Sequence, residues 1–92
     1  MLVAIAALLP DGADPPPPTC VTFAIEARFV GLAYNHIVHV ANGCSGAKSC
    51  TVATDVNPAP QVVTVPAGST VDVVTFIGSP ARTFTAAVHC SP

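Results

Sequence analysis

The chain has 92 residues, of which only 9% are charged and 51% are apolar, with ten prolines and no tryptophan. This length holds one domain, which excludes a two-domain protein and a doubly wound nucleotide-binding fold. Three basic residues cannot neutralise the several phosphates that nucleic-acid binding requires, so we expect no nucleic-acid partner. Low charge combined with high hydrophobicity argues against intrinsic disorder and favours a small folded domain.

Residues 1–18 differ in composition from the rest of the chain. Residues 1–9 form an unbroken apolar run, and four consecutive prolines occupy positions 15–18. A run of this length cannot span a bilayer, which needs about 20 residues, but it matches the apolar part of a secretory signal without its basic start. We therefore interpret residues 1–18 as a truncated signal with a stiff polyproline spacer, and residues 19–92 as the domain. The alternative is that the apolar run is an N-terminal tail that packs on the domain. We expect a secreted, periplasmic or cell-envelope protein without a stable membrane span.

The domain contains six predicted strands separated by turns rich in proline and glycine. In the first of them, apolar side chains alternate with polar or small ones, which is the pattern of a strand with one buried face. We expect Phe23 and Ile25 on the buried face. Glu26 and Arg28 would then lie outside. The fold class is all-β, a small antiparallel six-stranded β-sandwich. The predicted strands are residues 20–29, 34–42, 51–56, 61–65, 70–77 and 83–90.

Four cysteines, at positions 20, 44, 50 and 90, fall at one end of this sandwich if each connection reverses the strand direction. An even number in so small a domain is typical of two disulfides in an exported protein. Loop-closure entropy does not choose between Cys44–Cys50 with Cys20–Cys90 and Cys20–Cys44 with Cys50–Cys90, because each set sums to roughly 7 kcal/mol. We predict Cys44–Cys50 and Cys20–Cys90, since residues that flank a hairpin are already neighbours.

No residue pattern indicates a catalytic or metal centre. His36 and His39 form an H-x-x-H pair, but their different parity on a strand directs them to opposite faces, and His89 lies on another strand. We expect one of the pair to be exposed and the other to be buried near the start of the second strand. The cysteines lack the close pairs of zinc sites, and no G-x-S-x-G motif is present. We predict no metal, no cofactor and no enzymatic activity.

The loops at the end opposite the cysteines are the predicted binding surface. They carry Tyr34, which is the only tyrosine, together with Asn57 and Arg82, and prolines stiffen two of them. Tyrosine and arginine are favoured anchors at interfaces, and stiff loops lose less entropy on binding. We predict that Tyr34, Asn57 and Arg82 contact an unknown protein or glycan partner. The alternative is that these residues only shape turns, with Arg82 paired to Asp55.

Two families resemble parts of the chain. The motifs NHIV, NGC, TDVNPAP, VPAG and GSPAR, with a cysteine near the C-terminus, resemble small secreted bacterial proteins, and this group implies no activity. Residues 20–29 resemble the first hairpin of tendamistat-type α-amylase inhibitors, which are six-stranded sandwiches with two disulfides. Their inhibitory Trp-Arg-Tyr motif would fall on Ala27, Arg28 and Phe29, where the arginine alone matches. The expected sandwich is therefore immunoglobulin-like or tendamistat-like.

We predict an exported, non-enzymatic β-sandwich that acts as a binding or structural module of the cell envelope or the extracellular space. A glycosidase inhibitor of the α-amylase type is the alternative function, and a metal-binding module is the third. The sequence leaves the identity of the partner and the oligomeric state open.

Overall fold

The computed structural model describes residues 20–92, which form two three-stranded antiparallel sheets. Sheet 1 has the strand order β1-β2-β5, and sheet 2 has the order β4-β3-β6. The all-β, six-stranded sandwich with two disulfides is confirmed. The predicted signal and spacer lie outside the described residues. The strands are β1 (Val21–Val30), β2 (Ala33–Asn42), β3 (Lys48–Thr54), β4 (Gln61–Val65), β5 (Thr70–Ser79) and β6 (Ala86–Cys90).

The core between the sheets is small and consists mainly of valine. Branched side chains suit this position, because they pack well on a pleated surface and lose little rotamer freedom there. Phe84, which lies just before β6, adds an aromatic ring that stacks on His36 with the ring centroids 4.1 Å apart. The buried cluster comprises Val38, Val40, Cys50, Val52, Val65, Val73 and Phe84.

β1 is an edge strand, and its core-facing side chains are only partly covered. Phe23 and Ile25 share a face with their register partners Val40 and Val38, both of which are fully buried. The predicted face is therefore correct, but 46% of Phe23 and 44% of Ile25 remain exposed, so neither side chain is fully buried. The alternation predicts the correct face. It cannot predict that the strand lies at the margin of the sheet, where sheet 2 covers it incompletely.

The disulfide pairing also differs from the prediction. The bridges are Cys20–Cys44 and Cys50–Cys90, not Cys44–Cys50 and Cys20–Cys90. The prediction assumed that β2 and β3 form a hairpin, whereas the chain between them crosses from sheet 1 to sheet 2. Cys20 lies at the base of the β1–β2 hairpin, where its carbonyl accepts a 2.8 Å hydrogen bond from the Gly43 N–H. Cys50 and Cys90 are direct register partners in sheet 2. All four cysteines lie at one end of the sandwich, as expected.

Asn42 connects the two sheets at the end that carries the disulfides. Its side chain is 2% exposed, and Nδ2 donates 2.9 Å hydrogen bonds to the carbonyls of Val65 in β4 and of Gly46. Its Oδ1 accepts a 2.8 Å hydrogen bond from the Cys44 N–H. One buried amide therefore satisfies three backbone groups and fixes the path by which the chain leaves sheet 1.

Tryptic mapping without reduction tests the disulfide pairing. Cleavage after the three basic residues places each cysteine on its own peptide: 1–28, 29–48, 49–82 and 83–92. After denaturation, mass spectrometry should find 1–28 linked to 29–48, and 49–82 linked to 83–92. A link between 29–48 and 49–82 would contradict the structure. Because the bridges span 24 and 40 residues, reduction of each should lower the free energy of unfolding by about 3–4 kcal/mol.

Substitution of Asn42 tests the connection between the sheets. Asn42→Ala should lower the free energy of unfolding by about 2–4 kcal/mol, because it leaves the partners of a buried amide unsatisfied. Asn35→Ala is the matched control. The Oδ1 of Asn35 accepts only a 3.3 Å hydrogen bond from the Gly78 N–H at an exposed position, so its loss should stay below about 1 kcal/mol. Equal losses in urea denaturation would show that Asn42 does not hold the sheets together.

Candidate functional site

The structure brings the three predicted site residues to the end of the sandwich opposite the disulfides, which we call the upper end. Tyr34 lies near the start of β2, opposite Ser79 of β5. Asn57 lies in the β3–β4 loop, and Arg82 lies exposed in the β5–β6 loop. These loops touch each other, as expected from the alternating strand directions.

Two hydrogen bonds join two loops of the upper end to each other. The Asp55 N–H donates to the Thr85 carbonyl at 3.1 Å, and the Thr85 N–H donates to Asp55 Oδ1 at 3.0 Å. Asp55 therefore engages Thr85, and the ion pairs within residues 20–92 do not include the alternative pairing of Arg82 with Asp55. These two hydrogen bonds join the β3–β4 loop to the β5–β6 loop.

Asn57 already has a structural partner. Its Nδ2 donates a 2.8 Å hydrogen bond to the Thr75 carbonyl in β5, which lies in the other sheet. Its backbone N–H donates a 2.9 Å hydrogen bond to Thr54 Oγ1. The half-buried amide thus ties the β3–β4 loop of sheet 2 to sheet 1, and it supports the upper end as Asn42 supports the lower one.

Exposed apolar side chains gather at the upper end of sheet 1. Leu32 is 97% exposed, and Ile77 is 73% exposed. Phe29 and Val30, at the end of β1, are also exposed, and the Phe29 ring lies 5.1 Å from that of its register partner Tyr34. We call Phe29, Val30, Leu32, Tyr34 and Ile77 the apolar tip.

The backbone conformations of two glycines help to expose the apolar tip to solvent. β1 and β2 are joined by two residues, and the first of them, Gly31, has φ +68°, the conformation that a type II′ hairpin turn requires. So tight a turn gives Leu32 no neighbour to pack against. At the end of β5, Gly78 has φ +79°, and its N–H donates to Asn35 Oδ1, which keeps Ile77 beside β2. The sequence signal for this feature is an apolar residue directly after the turn glycine.

An open cleft of about 300 Å³ lies on the other sheet at the same end. Small side chains line the cleft, including Ala53, Pro58 and Ala87, and Asp55 adds a carboxylate to the lining. That carboxylate already accepts a hydrogen bond from Thr85. The cleft therefore offers a shallow apolar surface rather than a set of converging polar groups.

Four charged side chains form a cluster on the face of sheet 1 that points away from sheet 2. The imidazole of His39 donates through Nδ1 to Asp72 Oδ1 at 2.6 Å and through Nε2 to Glu26 Oε1 at 2.8 Å. Arg28 donates to both Glu26 oxygens, at 2.8 and 3.0 Å. We call Glu26, Arg28, His39 and Asp72 the outer charge cluster. Its hydrogen bonds require His39 to carry a proton on each ring nitrogen.

The partners in the outer charge cluster stabilise one another's charged forms. Hydrogen bonds from Arg28 and then His39 lower the pKa of Glu26 to about 2. Hydrogen bonds to Asp72 and then Glu26 raise the pKa of His39. The hydrogen bond to Glu26 raises the pKa of Arg28. Because neither ring nitrogen of His39 has a free lone pair in this state, the arrangement suits charge pairing rather than general-base chemistry.

The three histidines lie apart. His36 is fully buried and its Nε2 donates a 2.7 Å hydrogen bond to the Ala81 carbonyl, whereas His39 lies on the opposite face of β2, which confirms the predicted parity. His89 is exposed on β6. Across residues 20–92, no group of three or more histidine, cysteine or acidic side chains is placed to hold a metal ion. The same part of the chain contains no helix long and apolar enough to cross a membrane.

The outer charge cluster should make stability depend on pH. The raised pKa of His39 means that its contribution is complete below 6.5 and is lost as pH rises through the folded-state pKa. The lowered pKa of Glu26 means that its contribution is complete above 4.5 and is lost as pH falls through about 2. The reduction in Tm caused by His39→Gln should therefore be largest between pH 4.5 and 6.5.

Thermal unfolding followed by circular dichroism measures this difference across the pH range. His89→Gln is the matched control, because it removes an exposed imidazole from the other sheet. The effect of His39→Gln should also shrink at high salt, since the cluster is exposed to solvent. A Tm difference that is independent of pH would mean that His39 contributes through packing and not through charge.

The likenesses of the sequence to small secreted bacterial proteins and to tendamistat-type inhibitors remain predictions. Comparison of the chain with protein-family models, with curated proteins and with solved structures identifies no match.

Proposed function

We propose that this chain is an exported, non-enzymatic binding module whose apolar tip docks into an apolar pocket of a protein partner. The observation that carries the proposal is the exposure of Leu32 (97%) and Ile77 (73%) at the end of the sandwich opposite the disulfides. Scattered exposed apolar residues are common on soluble proteins. Several exposed apolar side chains concentrated at one end of a domain are instead a candidate interaction site.

The support beneath the apolar tip favours binding with little loss of entropy. A two-residue hairpin turn carries Leu32, and the Cys20–Cys44 disulfide closes the base of the same hairpin. Asn57 and Asp55 fix the neighbouring loops through the hydrogen bonds to Thr75 and Thr85. A surface that is ordered before binding spends less of its interaction energy on ordering.

Tyr34 and Arg82 are the polar anchors that we assign to the rim of this surface. The Tyr34 ring is half-buried against Phe29, so its position is fixed by packing, whereas Arg82 is exposed on the adjacent loop. Aromatic residues and arginine are enriched at interfaces, and their contacts fix orientation around an apolar centre. Asn57, the third predicted contact, would contribute mainly by holding the loop.

The disulfides support the exported location. Two bridges in so small a domain are typical of an oxidising compartment, and no free cysteine occurs in residues 20–92. We therefore assign the module to the cell envelope or the extracellular space.

An inhibitor of an α-amylase-type glycosidase is the second candidate function. Side-chain exposure favours it, since Arg28 and Phe29, two positions of the inhibitory motif in the resembling family, are both exposed. Arg28 is paired with Glu26 in this structure, so binding to an enzyme would require that pair to open. Incubation with α-amylase tests this candidate, and unchanged amylase activity would contradict it.

A pull-down of protein partners from secreted and envelope fractions, with this chain as bait, tests whether it acts as a binding module. A tip variant that combines Leu32→Asp and Ile77→Asp should lose a protein that the unmodified chain captures, because two carboxylates cannot enter an apolar pocket without a large desolvation penalty. The double substitution of Val62→Asp and Thr64→Asp is the matched control. It adds the same charge to exposed positions on β4 and should capture normally.

Both double variants should keep the Tm of the unmodified protein, because all four positions are exposed. The combination of Tyr34→Ala and Arg82→Ala should weaken the same capture. Equal capture by the tip variant and by the control would contradict the proposal, and so would the absence of any protein captured by the unmodified chain.

A further inference from the structure

One edge of β1 has no partner among residues 20–92. β1 pairs with β2 over all ten of its residues without a register shift, and no other described strand pairs with its second edge. The Gly43 N–H donates to the Cys20 carbonyl, which makes Cys20 and Gly43 a hydrogen-bonded pair of this antiparallel ladder. Because hydrogen-bonded and non-hydrogen-bonded pairs alternate, the odd-numbered residues direct their backbone groups to the free edge. They are Val21, Phe23, Ile25, Ala27 and Phe29.

The free edge of β1 lacks most of the features by which proteins prevent strand pairing. β1 has ten residues with no proline, lysine or bulge, and its two charged residues, Glu26 and Arg28, have opposite signs and can pair with those of a second copy. The other edges of the two sheets are protected. β4 and β6 have five residues each, and Pro60 and Pro66 flank β4. β5 shifts register twice along its pairing with β2.

We propose that two copies of this chain pair through their β1 edges. The strands would run antiparallel about a two-fold axis and form one continuous six-stranded sheet, β5-β2-β1-β1-β2-β5. In such a symmetric pair, the numbers of two opposite residues have a constant sum. That sum must be even, because directly opposite side chains share a face of the sheet and side chains alternate along each strand.

The charges on β1 select one register. When Ala27 lies opposite Ala27 of the second copy, Glu26 lies opposite Arg28 of that copy, and Arg28 lies opposite its Glu26. The four charges then alternate in sign around the two-fold axis, which stabilises the pair. The next register in one direction places Glu26 opposite Glu26, and the next in the other direction places Arg28 opposite Arg28. Both of these juxtapose like charges.

The same register covers the apolar face that sheet 2 leaves open. Ile25, which is 44% exposed, lies opposite Phe29 of the second copy, which is 60% exposed, and symmetry makes this contact twice. Aromatic and branched side chains in directly opposite positions stabilise strand pairs. Net charge does not oppose the association, since residues 20–92 contain three acidic and three basic side chains.

Phe29 and Val30 of the apolar tip lie on the pairing strand, but the two residues changed in the tip variant do not. Leu32 lies in the β1–β2 turn and Ile77 lies on β5, whereas the proposed two-fold axis passes through Ala27 near the middle of β1. The tip variant should therefore form the dimer normally. Loss of partner capture with an intact dimer, or the reverse, distinguishes failure of one proposal from failure of the other.

A charge-swap experiment tests both the dimer and its register. Sedimentation velocity of the full chain, in which one copy has a mass of 9.2 kDa, should show a concentration-dependent monomer–dimer equilibrium. E26R and R28E should each weaken the homodimer about ten-fold or more, because each places like charges opposite one another twice. An equimolar mixture of the two variants should recover dimerisation, since opposite charges then meet at both positions. Recovery cannot result from misfolding of either variant.

Ala27→Pro gives a second test that does not depend on charge. It removes an N–H that points to the free edge and spares the β1–β2 ladder, so the monomer should fold and the dimer should be lost. A monomeric unmodified chain at every concentration tested would overturn the proposal. Hydrogen-exchange protection of the Phe23, Ile25 and Ala27 amides in that monomer would show that the edge is occupied within the chain itself. A dimer that E26R and R28E leave unchanged would also overturn it.

Discussion

Neither disulfide crosses between the two sheets, so the sandwich depends on the contacts that do. Cys20–Cys44 closes the β1–β2 hairpin of sheet 1, and Cys50–Cys90 joins β3 to β6 within sheet 2. The sheets are held against each other by the valine core and by two buried or half-buried amides, Asn42 at the lower end and Asn57 at the upper end. Burial of valine is favourable but not directional, whereas each amide fixes one backbone group of the opposite sheet. The amides therefore fix how the two sheets align with each other.

The sequence predicts where each strand lies along the chain, but not which strands are neighbours in a sheet. Alternation identified six segments close to their observed bounds, because a period of two is a local property of the chain. The disulfide prediction failed because consecutive strands were assumed to pair, whereas β3 lies in the other sheet from β2. One local signal was available. Counting outward from the two-residue turn at Gly31 and Leu32 places Cys20 opposite Gly43, which makes Cys44 its nearest cysteine.

The candidate site was predictable to a similar degree. Strand direction placed Tyr34, Asn57 and Arg82 at one end, and the structure agrees. The exposed apolar tip was missed because alternation indicates which face a residue is on and not whether the strand is central or at an edge. The outer charge cluster was missed for a related reason. Glu26, His39 and Asp72 belong to three different strands, and only the strand order and register bring them together.

The arrangement of the cysteines along the chain has a consequence for oxidative folding. Cys44 and Cys50 are close in sequence, so in an unfolded, reduced chain these two thiols meet most often, and an external disulfide oxidises them readily to a bridge by thiol–disulfide exchange while it is itself reduced. That bridge is a trap, because the native structure places the two cysteines in different disulfides. Only formation of the β1–β2 hairpin withdraws Cys44 from Cys50 by placing it beside Cys20. Cys50 can form its native bridge only when the last strand, which carries Cys90, pairs with β3. The order in which the strands form therefore decides whether oxidation yields the native protein or a non-native isomer that must exchange its disulfides.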